Sequence, residues 1–236
     1  MYLGVDEAGK GPALGPMVAA AVIADPAGLP GDVDDSKRIA PARRESMAAA
    51  LGEDPDVAVG VARVEPAEID RPDTDMNTLT VRGQARAVRA ALADRPAGVA
   101  EPVRVVADAG DTSEERFARR LREFVAEGEN GERPEDGDSV PSVDVTAAHG
   151  ADENDPLVGA ASVVAKVTRD AAMVAVDATY PEYDDIGSGY PSDPATRSFI
   201  AAYVGDHETL PDCARESWAT CEDALAAAEQ SALDEF

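Results

Sequence analysis

Near its start the chain sets two apolar stretches, residues 2–5 and 17–23, on either side of a segment carrying Gly9, Gly11, Pro12, Gly15 and Pro16. No other feature constrains the fold as much. Glycine and proline at this density punctuate a turn, and the flanking stretches are close enough to pair as antiparallel strands. The first strand runs directly into Asp6 and Glu7. A sheet is therefore expected, with two acids where its first strand gives way to the turn.

The rest of the chain alternates. A helix is predicted over 41–51, a strand over 57–64, and a helix over 79–92 with Val81, Ala85, Val88 and Leu92 on one face. A short strand over 103–107 ends at Asp108. Ser113 can cap a helix carrying Phe117, Leu121 and Phe124, with Glu114 and Glu115 well placed in its first turn. Residues 127–139 are polar and acidic and read as a loop, 143–145 as a fifth strand, and 156–179 as a long helix. A loop over 187–194 and two helical stretches follow. The pattern predicts an α/β sheet with an appended helical lobe. Its division is a catalytic domain over 1–175, a helical region over 176–229 and a tail over 230–236.

At 236 residues, with 44% hydrophobic residues, the chain can bury a real core despite 29% charged residues. The longest apolar run, 17–24, is too short to span a bilayer, and no signal peptide is visible. Cys213 and Cys221 lack zinc-site spacing. The expectation is a reduced, soluble, cytoplasmic monomer without a membrane partner.

The charge is lopsided, with 47 acidic against 21 basic residues and a formal net of −26. Nucleic-acid binders usually carry a basic footprint. At molar salt, however, the Debye length is about 3 Å and like charges barely repel. An acidic surface then maintains solubility. The composition reads as halophilic adaptation, which removes the argument against nucleic acid. Only Lys10, Lys37 and Lys166 remain as lysine; as compact point charges they suit phosphate contacts.

Asp6, Glu7 and Asp108 stand at the ends of apolar strands, where ligand sites of open α/β sheets gather. Adjacent strand residues face opposite ways, so Asp6 and Glu7 are expected to converge only if Glu7 lies past the strand end. A fourth acid before the long helix could be Asp152 or Asp155. Such a set forms a hard oxygen donor group suited to two Mg²⁺ or Mn²⁺ ions.

Gly4-Val5-Asp6-Glu7-Ala8-Gly9-Lys10-Gly11-Pro12 closely resembles the opening motif of the type 2 ribonucleases H (ribonuclease HII). Asp35-Ser36-Lys37, Val106-Ala107-Asp108-Ala109, Ala151-Asp152, and the run from Ala160-Ala161-Ser162 through Lys166 to Arg169-Asp170 are similar to later blocks of that family. Gly187 to Pro194 resembles its archaeal loop, and Arg215-Glu216-Ser217-Trp218 the block after that. The resemblance implies a ribonuclease H-like mixed five-stranded sheet flanked by helices, with a C-terminal helical region. It implies endonucleolytic hydrolysis of RNA in RNA–DNA hybrids and at single ribonucleotides within duplex DNA, leaving 3′-hydroxyl and 5′-phosphate ends. It selects Asp152 as the fourth carboxylate. Gly150, where archaeal members often carry Lys, and Lys10, where Arg is frequent, depart from the pattern.

Ribose differs from deoxyribose by its 2′-hydroxyl. The Gly9-Lys10-Gly11 turn allows close backbone approach, and Tyr190 offers a ring to stack on a sugar; in the family these elements read the RNA–DNA junction. A junction resolvase would need neither, and a non-catalytic adaptor would not need four acids. His149 reads either as a proton shuttle or as a solvated loop histidine. Trp218 reads as a packing anchor. Gln230, Leu233 and Phe236 resemble the box by which repair proteins dock on a sliding clamp, with the two apolar residues one helical turn apart.

Overall fold

Tyr2–Ala8 (β1) and Met17–Ala24 (β2) pair antiparallel, in register from Tyr2 opposite Ala24 to Ala8 opposite Val18. The structure, a computed structural model, describes residues 1–29, 40–127 and 140–234, with side chains described through residue 230. Lys37, most of the acidic loop (128–139), the Leu233 side chain and Phe236 lie outside the described residues.

Pro41–Glu53 (α1), Ala58–Val64 (β3), Pro66–Ile69 (α2), Met76–Ala93 (α3), Val103–Asp108 (β4), Glu114–Glu127 (α4), Val143–Ala148 (β5), Pro156–Asp177 (α5), Pro194–His207 (α6) and Ala219–Asp234 (α7) follow. The sheet order is β3-β2-β1-β4-β5, with β4 parallel to both β1 and β5. This is the mixed five-stranded sheet flanked by helices that the resemblance implies. Short helix α2 is new, since four residues are too few to display a helical period. Among the described residues, no helix is long and apolar enough to cross a membrane.

The chain forms two compact units. The first comprises Met1–Ala8, Val18–Arg63 and Met76–Thr168. One face of its sheet, with Leu3, Val5, Ala19, Ala21 and Val105, packs on Val81, Val88 and Leu92 of α3 and on Phe117 and Leu121 of α4. The other, with Ala20 and Val22, packs on Leu157, Ala161 and Val164 of α5 and on Met47 and Leu51 of α1. The alternation follows from side chains pointing to opposite faces of a strand. Gly4 has to be glycine here: a Cβ would lie 2.2 Å from the Leu157 carbonyl carbon. That contact sets the start of α5 directly on β1.

The second unit comprises Gly9–Met17, Val64–Asp75 and Arg169–Phe236. Its core gathers Leu14, Met173, Ile186, Phe199, Ile200 and Val204 with both free cysteines, Cys213 and Cys221. Tyr180, Tyr183, Phe199 and Tyr203 meet mostly edge to face at 5.2–6.0 Å between ring centres, the arrangement ring quadrupoles prefer.

Candidate active site

The acids of the first unit come from strand ends. β1 runs through Asp6 and Glu7 to Ala8, so Glu7 lies inside the strand, not beyond it. Pairing with β2 extends β1 past its apolar stretch and corrects the expectation that a bend brings the two acids to one side. Asp6 instead accepts a hydrogen bond from the Ser162 hydroxyl of α5, whereas Glu7 Oε2 accepts one from Gln84 Nε2 of α3 at 2.6 Å. The two are thus anchored by helices on opposite faces of the sheet, yet their carboxylates remain close enough to interact. Parallel pairing of β1 with β4 sets Val5 opposite Ala107, so the next residues, Asp6 and Asp108, are neighbours.

Asp108 Oδ1 accepts the Ala151 N–H at 2.8 Å. This bond fixes the short 3-10 turn Ala151–Glu153, which carries the buried Asp152, against the end of β4. Asp155, the alternative fourth acid, is committed elsewhere. It accepts the Tyr2 hydroxyl and the N–H groups of Leu157 and Val158, and so caps the start of α5.

Asp6 is only 5% exposed. Burial first, then the neighbouring charges of Glu7 and Asp108, raises its pKa well above the usual 3.8. Among the described residues no three His, Cys, Asp or Glu side chains are gathered closely enough to hold a metal ion as they stand. The donor set is still chemically suited to a hard divalent cation. It is all oxygen, and its crowded negative charge is what such a cation would relieve. Gly110 follows β4, and any side chain there would strike Thr80 Cγ2 at 2.6 Å and crowd Glu7 Oε1 at 3.1 Å.

His149 has acceptors on both sides of its ring, the Asp111 carbonyl at 2.7 Å and the Glu114 carboxylate at 3.0 Å. The Asp111 carbonyl first, then Glu114, raises its pKa above 6.5. Asp111 itself is held near 2 by Arg116. The folded protein therefore favours the imidazolium. That contribution to stability is complete below the unfolded pKa and is lost as pH rises through the folded one. In an NMR titration the His149 ring is expected to have its midpoint above 6.5, and Glu114→Gln to lower it. A midpoint at or below 6.5 in both proteins refutes the bridge.

In the second unit, Arg215 is fully buried. It donates from Nε to the Gly15 carbonyl at 3.0 Å, from Nη1 to Lys10 at 2.9 Å and from Nη2 to Gly9 at 2.6 Å. Trp218 lies under its guanidinium, 5.0 Å from ring centre to Cζ, and donates from Nε1 to the Gly11 carbonyl at 3.0 Å. Trp218 is thus the packing anchor expected of it, and it also fixes the turn. Burial, together with nearby Arg169, pulls the Arg215 pKa down to about 10. The Gly189 carbonyl accepts the N–H groups of Ala13 and Leu14, tying the 187–194 loop to the same turn. Arg169 donates to the Ser188 carbonyl at 3.1 Å and lies 5.4 Å from the centre of the Tyr190 ring, which stays 41% exposed.

Lys10 belongs to this turn and Lys166 is half-buried on α5. Gln84, Ser162, Arg169 and Arg215 escaped sequence reasoning as structural partners. A signal existed for Gln84: it stands three residues after Val81 and four before Val88, a polar residue on an apolar stripe.

Residues 3–221 match the family described as Ribonuclease HII. A ribonuclease HII of Haloarcula marismortui is 54% identical over 236 residues, covering 100% of both chains. The crystal structure of a ribonuclease H2 from Pyrococcus horikoshii aligns with a TM-score of 0.76 at 30% identity, over 97% of this chain and 98% of that one. The ribonuclease HII of Archaeoglobus fulgidus, solved in a complex with PCNA, aligns with a TM-score of 0.72 at 31% identity over 100% of both. With acids at the expected strand ends and the motif blocks in order along the matched span, the chain belongs to the ribonuclease HII family and is, with it, a metal-dependent endoribonuclease.

Proposed function

We propose that this enzyme hydrolyses the RNA strand of RNA–DNA hybrids and single ribonucleotides embedded in duplex DNA, leaving 3′-hydroxyl and 5′-phosphate ends. The observation that carries this reading is the meeting of Asp6, Glu7 and Asp108 at one sheet end, with Asp152 delivered by the turn that Asp108 holds. These four carboxylates would hold two Mg²⁺ or Mn²⁺ ions. When bound, such ions activate a water and stabilise the leaving oxygen in phosphodiester cleavage. The chain supplies the rest. Asp6, fixed by Ser162, and Glu7, fixed by Gln84, orient the donor oxygens. Gly9, Lys10 and Gly11, whose carbonyls are all bound from behind, present a preformed turn to the ribose 2′-hydroxyl. Tyr190 stacks on the neighbouring deoxyribose, and Lys37 and Lys166 contact phosphates.

The test is incubation at molar KCl with Mg²⁺ or Mn²⁺ and three duplexes: a uniform hybrid, DNA bearing one ribonucleotide, and all-DNA. Cleavage of the first two and not the third is expected. Equal cleavage of the all-DNA duplex overturns the reading. Tyr190→Ala is expected to lower cleavage at the single ribonucleotide by roughly tenfold, in line with about 1–3 kcal/mol per stacking contact. Unchanged kinetics would make the ring structural.

The A. fulgidus complex favours a second role. Gln230 is exposed near the end of α7, and the tail 230–236 is proposed to dock on a sliding clamp. Deleting those seven residues should abolish clamp binding at high salt while cleavage of a short duplex persists. Undiminished clamp binding refutes the docking role.

A further inference from the structure

Gln84 is fully buried on α3, on the same face as Val81, Ala85 and Val88. Burying an amide among apolar side chains is costly unless it is hydrogen-bonded. Both protons of Nε2 are used, one toward Glu7 Oε2 at 2.6 Å and one toward the Asp108 carbonyl at 3.0 Å. Oε1 has no hydrogen-bond partner among the described residues. Turning the amide over would set Oε1 against a carboxylate and a carbonyl, two contacts between acceptors, so the orientation is fixed by chemistry. A position that served packing alone would be filled by Leu or Met without leaving a buried oxygen unsatisfied.

We propose that Gln84 is a positioning residue for the catalytic metal site: one amide commits Glu7 Oε2 and sets the spacing between Glu7 on β1 and Asp108 on β4. The inference rests on the reading of Glu7 and Asp108 as members of the catalytic set. Its neutrality matters. An Arg or Lys in this place would pair with Glu7 and compete with a divalent cation, whereas an amide orients the carboxylate and leaves its charge available. Gly110 completes the arrangement by leaving room for the other oxygen of Glu7.

The experiment compares wild type, Gln84→Met, Gln84→Asn and Glu7→Gln, each as the full chain at molar KCl. Met keeps the length without the donor. Asn keeps the amide but is too short to reach Glu7, and serves if the Met variant does not fold. Mn²⁺ binding is measured by calorimetry, Tm by circular dichroism, and kcat and KM on a uniform hybrid. Expected for the Gln84 variants is a tenfold to hundredfold loss in Mn²⁺ affinity and in kcat, roughly the cost of removing a partner that orients a metal ligand, with KM within about twofold. Folded Gln84 variants with wild-type Mn²⁺ affinity and kcat overturn the proposal if Glu7→Gln is impaired. If Glu7→Gln also binds Mn²⁺ and cleaves normally, the catalytic reading itself has failed.

Discussion

Asp6→Asn is expected to abolish cleavage and, in metal-free buffer at neutral pH, to raise Tm. The loss should be at least about a hundredfold in kcat, because a metal-ligating charge is worth several kcal/mol in the transition state and each 1.36 kcal/mol is tenfold. The gain in Tm follows from the shifted pKa. Burial, Glu7 and Asp108 raise the Asp6 pKa above its unfolded value of 3.8, so the folded state binds that proton more tightly. The associated stability is complete below 3.8 and is lost as pH rises through the folded pKa. Above 3.8 the buried carboxyl therefore costs the fold stability that it supplies in acid, and Asn removes that cost. The Tm difference should vanish toward acid pH. Saturating Mg²⁺ should narrow or reverse it, because bound cation stabilises only the wild type. A variant that retains cleavage, or that melts below wild type at neutral pH without metal, contradicts the arrangement at the sheet end.

The second large effect is that of salt. With a net charge of −26, raising KCl from about 0.1 M to 3 M should raise Tm by 10 °C or more, corresponding to roughly 3 kcal/mol for a chain of this size. The screening length falls from about 10 Å at 0.1 M to about 3 Å at 1 M, and mutual repulsion falls with it. The 54% identity to a protein of Haloarcula supports the same expectation. Substrate binding should also weaken little with salt compared with ordinary phosphate binders, whose affinity falls through counterion release. The proposed ring stacking by Tyr190 and backbone contacts at the Gly9–Gly11 turn would not depend on that release. A melt that is flat or falls with KCl refutes the halophilic reading.

Much of the fold was legible because hydrophobic period and turn residues agree along the chain. The first two strands, α3, α4 and the start of α5 at Pro156 lie within a few residues of where their apolar spacing places them. The misjudged end of β1 has a physical cause. Hydropathy stops at Val5, but the ladder continues because β2 offers Ala20, Ala19 and Val18 as partners to Asp6, Glu7 and Ala8. Local sequence does not display a cross-strand partner. Position before the long helix did not separate Asp152 from Asp155, and only the family resemblance chose between them; the Tyr2 hydroxyl that engages Asp155 lies 153 positions away. Arg169 and Arg215 were opaque for a related reason. Arginine ordinarily signals surface, and their burial depends on backbone carbonyls that only the tertiary fold presents.

The bonds from Arg215 to Gly9, Lys10 and Gly15 span about 200 positions, and this separates the two halves of the enzyme in time. On a ribosome adding about 5–20 residues per second, the turn is made at once, but its brace arrives roughly 10–40 s later. The β1–β2 hairpin can form early, with Asp6 and Glu7 already on it. The turn that follows β1 in the chain stays unbraced until Arg215 has emerged. The nascent protein thus carries Asp6 and Glu7 before Arg215 can brace the turn, and a product truncated before residue 215 would carry those acids with the turn left unbraced.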